Sequence, residues 1–447
     1  MWRAQRPAGI ASASTATEKV LQAEGATLDS ARHRHGLNLL HYILSGTFNT
    51  VFLYLLAFSP LTPSLSISQV IRAEGAHQFL ALNQDRSRAY ATTWAMPPTL
   101  SSWEVLQGGL EGIKHINTVP IRATSSYIQV SPIQPRIYSA GGPTGEVHDI
   151  DAKTGGFGKK LQELLYVPEE GLETTDKTRV ALRYGSHSID LDLPKKQAFV
   201  PHLFVTAPSH FCQSFRKLRV CGGPNYSGHN SIYMYSVLED GTFSLIAEVP
   251  SFGDGHDGPR HVIPSPDGNK LYAVTEHTSY VDVYTILSDT LKHEQRLSVI
   301  PSSFESTRLD YRGDTLRLSQ SGRFLYATTR GKTSATKGFV STWAVNDDGT
   351  LGSPQDDFEP LDRFVTSTSG GKANAVEAFP FHVGVQGGRI KEDWDWVLLT
   401  DDHDGWVWVL EWDGVQMREL CGVQLGRQEG AEKDEEGTGA SHAVWLS

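Results

Sequence analysis

The amino-acid sequence predicts an all-β chain, a seven-bladed β-propeller of four-stranded antiparallel blades in which N- and C-terminal strands share one blade. Three observations lead there. A unit of short strands recurs along the chain, turn-forming residues join its strands, and each chain end carries a part of the unit that the other lacks. Such repeats bury their apolar faces on one another, so 447 residues need not divide into several cores. The 42 glycines, 22 prolines and 10% aromatic content suit short strands and tight turns, and ordinary apolar content argues against global disorder.

The clearest unit starts at His261. The run from His261 to Glu276 gives two strands around Pro266-Asp267-Gly268, followed by strands at Tyr280–Ile286 and Glu294–Ile300. In that turn Pro presets φ, Asp closes the loop locally, and Gly supplies a positive φ. Four antiparallel strands of this length make one blade. Three units are expected ahead of it. The first has strands near Gln78–Leu82, Ala89–Thr92 and Trp103–Val105; the second near Tyr127–Pro132, Arg136–Tyr138 and Val147–Asp149; the third near His187–Asp192, Gln197–Val200 and Ser231–Val237. Two units follow, one with Thr315–Arg330 and Val340–Val345, the other with Asn374–Phe379, Trp396–Thr400 and Trp406–Trp412. His442–Leu446 reads as a lone inner strand, and the N-terminal pair Leu39–Leu44 and Val51–Phe58 lacks one. The two ends therefore complete the seventh blade and close the ring.

Residues 1–37 lack strand periodicity and read as an irregular extension; Glu18, Glu24 and Asp29 argue against an acid-poor transit peptide. The propeller then covers 38–447. Gly36 to Leu61 contains no Asp, Glu, Lys or Arg and is long enough for a bilayer. Asn38, His41, Ser45, Gly46, Thr47, Asn49 and Thr50 divide it into two short apolar runs, so two buried strands are expected and no membrane partner. Residues 204–226 interrupt the third unit with Arg216, Lys217, Arg219 and no acid. They read as a surface loop or as non-coding sequence retained in the gene model, and sequencing the transcript decides between the two. Residues 429–439 read as a solvated acidic loop. The three cysteines, Cys212, Cys221 and Cys421, form no disulfide or zinc pattern, which fits a reducing, cytoplasmic setting. A net charge of -11 disfavours nucleic acid as partner. Any anion site must then be a local concentration of cations.

Inner strands line a propeller's channel, and a charge at the start of one, or at the end of a second strand, must be paired or used. Arg260 precedes an inner strand, and Glu276 ends the strand that pairs with it through the Pro266 turn. Their ends should emerge at one mouth. Arg330 takes the place of Glu276 one blade on, and His187 opens the inner strand of the third unit. Arg312, Lys372 and Asn374 precede the next inner strands and are candidate substrate-binding groups at that mouth. Arg260 with Glu276 is also consistent with a plain structural ion pair, and His187 with a hydrogen-bonded structural histidine. His261 should point to the opposite strand face from Arg260, which suggests a structural role. Thr400-Asp-Asp-His-Asp-Gly405 has a metal-loop composition without calcium-loop spacing, so it reads as a turn and no metal is expected.

Gly258-Pro-Arg-His261, Ser265 to Tyr272 with Glu276, Ser321 to Arg330, Thr400 to Trp406 and the closing Ala443-Val-Trp445 together resemble the lactonase-type seven-bladed propellers. Within them the chain is most similar to the fungal carboxy-cis,cis-muconate cyclase family. The resemblance covers residues 38 to 447 apart from the insert. It implies a cycloisomerase that lactonises 3-carboxy-cis,cis-muconate in protocatechuate catabolism, a small carboxylate substrate, and no cofactor. It also implies active-site roles for His187, Arg260, Glu276 and Arg330, with Glu276 or His187 as proton donor. The Arg260–Glu276 hairpin is shared with 6-phosphogluconolactonase-like propellers, so lactone hydrolysis is the alternative. A non-catalytic binding platform is a third reading, and a homo-oligomer is compatible with all three.

Overall fold

The computed structural model describes residues 40–94, 96–203, 229–253, 256–352, 358–381, 383–385, 389–390, 393–426 and 438–447. The predicted extension and insert, Cys212, Cys221 and most of the acidic loop lie outside the described residues.

Seven antiparallel sheets form the blades. Blade 1 holds His77–Leu82, Arg88–Thr93, Thr99–Val105 and Ile113–Pro120, from the channel outward. Blade 2 holds Tyr127–Val130, Arg136–Gly141, Thr144–Ile150 and Phe157–Leu165. Blade 3 holds Asp190–Asp192, Gln197–His202, Ser231–Val237 and Phe243–Pro250. Blade 4 holds Pro259–Pro264, Lys270–Thr275, Tyr280–Ile286 and Leu291–Ser298. Blade 5 holds Tyr311–Leu318, Phe324–Gly331 and Phe339–Val345, and two short pieces, Leu351–Gly352 and Asp362–Val365, share its outermost place. Blade 6 holds Val376–Ala378, Asp395–Asp401, Trp406–Trp412 and Met417–Gln424.

Ala440–Trp445 is the inner strand of blade 7 and pairs with His41–Thr47, with Ile43 opposite Trp445 and Leu44 opposite Val444. Phe52–Ser59 and Ser64–Arg72 complete that blade. The predicted closure therefore holds, but the N-terminal segment supplies three strands where two were foreseen. The missed strand is the outermost one; its side chains are mostly exposed, but Leu65 and Ile67 alternate with serines and were a readable signal. The charge-free stretch forms strands rather than a span, and no helix among the described residues is long and apolar enough to cross a membrane.

Local chemistry sets these elements. Gly268 has φ 70° in the Pro266 turn, and Asp267 accepts hydrogen bonds there from Ser265 Oγ at 2.6 Å and Asn269 N at 3.0 Å. Gly322 repeats the turn in blade 5 with φ 71°. Between blades the packing is apolar: Val274, Leu297, Leu316, Leu325 and Trp343 are fully or almost fully buried in one such layer. Each is worth about 1.5–3 kcal/mol in burial. A second device recurs at the edge of these layers. Tyr90, Tyr138 and Tyr272, at matching places on second strands, donate their hydroxyls to Gly155, Gly241 and Gly349 O in the next blade, at 2.6, 3.0 and 2.8 Å.

Candidate active site

The predicted mouth assembles around Glu276, only 7% exposed. Its amide donates to Gly258 O at 2.7 Å, which places the side chain beside the start of the inner strand. Arg260 Nη1 lies 2.6 Å from Glu276 Oε2, Arg330 Nη2 lies 3.2 Å from Oε1, and Arg312 Nη1 lies 3.4 Å from the same oxygen. Three of the predicted cations thus converge on one carboxylate.

Asp314 is the second anion, and the sequence reading missed it. Its Oδ1 is 2.7 Å from Arg260 Nη2, and its backbone oxygen accepts from Arg260 Nε at 3.2 Å. Asp314 Oδ2 accepts from Asn374 N at 2.7 Å. The signal was available, since Asp314 is a charge near the start of an inner strand, as Arg260 is.

Arg312 stands directly opposite Arg330 across the blade 5 strand pair. Like charges so placed repel and destabilise a sheet. Counting Arg260, Arg312 and Arg330 against Glu276 and Asp314, three cations face two anions, which leaves one positive charge in excess. Burial favours the neutral carboxyl of Glu276, but Arg260 and then Arg330 outweigh it and hold the group well below the usual carboxylate range. Burial weakens the Arg260 cation, and Asp314 and Glu276 more than restore it.

His187 is buried and lines a cavity of about 30 Å3 together with Arg260, His261, Asp314, Phe79 and Tyr127. Its Nε2 faces Leu182 O, so that nitrogen carries the proton. Burial, then the nearby Arg260, lowers its pKa to about 3. The cavity is water-sized, so a larger anion enters only where side chains or water give way.

His261 departs from expectation. It lines the same cavity as Arg260, because the pairing slips between Pro259 and His261. A β-bulge turns two consecutive residues toward one side. Similar slips lie between Gly313 and Leu316 and between His77 and Leu80, and there Asp314 with Thr315, and Gln78 with Phe79, share the cavity.

The remaining candidates sit differently. Asn374 Nδ2 donates to Thr329 O at 3.0 Å, and the Asn374 backbone oxygen accepts from Thr328 Oγ1 at 2.7 Å, so it braces blades 5 and 6. Lys372 Nζ reaches Asn49 Oδ1 at 3.0 Å and Asp402 at 3.5 Å, toward blade 7. The Asp-rich stretch is a turn: Asp401 accepts from the amides of His403 at 2.9 Å and Asp404 at 3.1 Å. Among the described residues no cluster of three or more His, Cys, Asp or Glu could hold a metal ion.

Comparison with known proteins agrees with this architecture. The family described as "Lactonase, 7-bladed beta-propeller" matches residues 226–356. Muconate cycloisomerase 1 of Cutaneotrichosporon cutaneum is 29% identical over 377 residues, 82% of this chain and 89% of that protein. Carboxy-cis,cis-muconate cyclase of Neurospora crassa is 26% identical over 206 residues, 44% of this chain and 51% of that protein. Among solved structures, a Pseudomonas aeruginosa periplasmic gluconolactonase is similar in fold, with a TM-score of 0.66 at 16% identity, over 91% of this chain and 99% of that one.

Proposed function

We propose that this chain, a lactonase-type propeller by its likeness, is a lactone-processing enzyme that cyclises 3-carboxy-cis,cis-muconate to its lactone in the breakdown of protocatechuate. The observation that carries the reading is the excess of guanidinium over carboxylate at the mouth, where buried Arg260 and Arg330 balance Glu276 and Asp314 and the part-exposed Arg312 adds a third cation, which suits a polycarboxylate on an otherwise acidic protein. The likeness to a muconate cycloisomerase and, over a shorter stretch, to a carboxy-cis,cis-muconate cyclase supports the choice of substrate.

In this reading Arg260 and Arg330 grip two substrate carboxylates, since a guanidinium matches a carboxylate in a two-point fork. Arg312, with 30% of its side chain exposed, meets the third from the solvent side. A carboxylate oxygen attacks the conjugated diene, and negative charge moves toward a neighbouring carboxylate. Fixed cations at that point stabilise the charge as it develops. In the resting site Glu276 is ionised and His187 is a neutral histidine whose proton is engaged by Leu182, so neither holds a ready proton. Both can accept a proton and neither can give one, which is the observation favouring lactone hydrolysis as the second reading, although their lowered pKa values make each a weak base. The enzyme is taken to act in the cytoplasm on a small carboxylate, without a nucleic-acid partner.

Incubating purified protein with 3-carboxy-cis,cis-muconate, and separately with 6-phosphogluconolactone, tests both readings. Loss of the diene absorbance with lactone formation supports cyclisation. Hydrolysis of the sugar lactone alone replaces it with the second reading, and inertness toward both favours a binding platform.

A further inference from the structure

Below the cavity, each of the seven blades contributes one inner-strand side chain to a closed circuit around the channel. Phe79 packs on Tyr127 with ring centroids 4.1 Å apart. The Tyr127 hydroxyl lies 3.1 Å from Asp190 Oδ1 and 3.2 Å from His261 Nε2. Arg317 Nη1 is 2.9 Å from His261 Nε2, and Arg317 Nε is 2.6 Å from Glu377 Oε2. His442 Nε2 lies 3.6 Å from Glu377 Oε2, and its ring stacks on Phe79 at 3.8 Å, which completes the circle. The circuit forms the floor of the cavity: Phe79, Tyr127 and His261 belong to both.

The charges in this floor are unevenly matched. Glu377 faces Arg317 directly and stays ionised; burial opposes this, but Arg317 and His442 together bring its pKa to about 2. Asp190 has no such direct partner. Its Oδ2 is buried without a hydrogen-bond partner, 3.6 Å from His261. An ionised oxygen in that position is costly, and a protonated carboxyl is not. Burial accordingly raises the Asp190 pKa to about 7, against the pull of Arg317. The groups that face Asp190 are Tyr127, His261, Arg317, Glu377 and Ser188. A carboxyl that keeps its proton up to about neutral pH therefore stands behind the hydroxyl of Tyr127, a residue that lines the cavity.

We infer that Tyr127 is the proton donor to the substrate carbon and that Asp190 returns the proton to Tyr127. This rests on the cyclisation reading. One substrate carboxylate oxygen forms the new C–O bond, and the π electrons pass to the carbon beside a second carboxylate. That carbon then forms a C–H bond as the Tyr127 O–H bond breaks. The phenolate takes the proton of Asp190, and Asp190 is recharged from water when product leaves. The trianion becomes a dianionic lactone, and each turnover consumes one proton.

Tyr127→Phe removes one oxygen and keeps the ring packed on Phe79. Its kcat should fall at least 100-fold, the usual contribution of a positioned acid, with KM within about threefold of wild type. Residual product made in deuterium oxide should lose the stereospecific labelling of the new C–H. Asp190→Asn keeps the shape and a hydrogen bond to Tyr127; it should slow turnover and abolish the alkaline fall in rate near neutral pH. Thermal melting of both variants verifies folding, and either folded variant is sufficient for the test. Wild-type-like turnover and labelling in Tyr127→Phe, or an unchanged rate and pH profile in Asp190→Asn, overturns the inference while leaving cyclisation intact. A wild-type protein inert toward carboxymuconate removes the cyclisation reading itself, and this inference with it.

Discussion

Glu276→Gln separates what Glu276 does for the fold from what it does for an incoming anion. The side chain holds three guanidinium groups at 2.6, 3.2 and 3.4 Å in a buried place. Gln has nearly the same shape, so no cavity opens, but three cations are left with Asp314 alone. Removing one partner of a buried ion pair costs about 3–5 kcal/mol. With an unfolding entropy of about 2 cal/mol/K per residue over 447 residues, Tm should fall by about 3–5 °C. Affinity for an unreactive tricarboxylate such as tricarballylate should move the other way. Glu276 competes with that ligand for the same guanidinium groups, and one charged hydrogen bond is worth about 1.5–3 kcal/mol. Binding should therefore tighten about 10- to 100-fold by isothermal titration calorimetry. The ligand should also restore the lost Tm. An unchanged Tm together with unchanged or weaker tricarballylate binding refutes the picture of Glu276 as a built-in competitor for the anion site.

Asp314→Asn should remove one of the two carboxylates that hold Arg260, raising KM about tenfold or more for the proposed polycarboxylate substrate, while Asp314→Glu should not restore it because the longer arm displaces the guanidinium; steady-state kinetics with both variants checks this. His77, His187 and His202 are lowered to about 3 and His148 to about 4, by burial in each case. A depressed histidine contributes stability that is present above its ordinary value of 6.5 and is lost as pH falls toward the folded value, so Tm should drop between pH 6.5 and 4. His77→Phe should make that slope shallower; an equally steep slope counts against His77 as one of its sources. Gly313→Ala should loosen the contact of blades 4 and 5 beside the site, because a Cβ there collides with Thr275 O and the Gly313 amide donates to Glu276 O at 2.9 Å; a Tm loss of several degrees with reduced activity is expected. Tyr272→Phe, which removes only the bond to Gly349 O, should cost about 1 kcal/mol and leave kcat untouched.

The blades are legible in the sequence because their signals are local. Pro266-Asp267-Gly268 dictates a turn by itself, and the turn ties Arg260 to Glu276 across one hairpin whatever the rest of the chain does. Closure was equally readable, since a lone strand at one end answers a missing strand at the other. What escaped is the phase of the inner strands. Strict alternation assigns Arg260 and His261 to opposite faces, and the slip in pairing at that point brings both to the cavity. The same slip in blade 5 delivers Asp314 beside Arg260. A bulge depends on how one strand meets the next, and a residue pattern read along one strand does not contain that relation. The channel floor is the extreme case. Phe79, Tyr127, Asp190, His261, Arg317, Glu377 and His442 lie on seven strands spread from blade 1 to the C-terminus, and their circuit exists only when all seven strands are in register with the ring. An inner-strand charge such as Asp190, Arg317 or Glu377 is therefore a partial signal on its own. It becomes chemistry when the neighbouring blade supplies the hydroxyl or guanidinium that decides its proton.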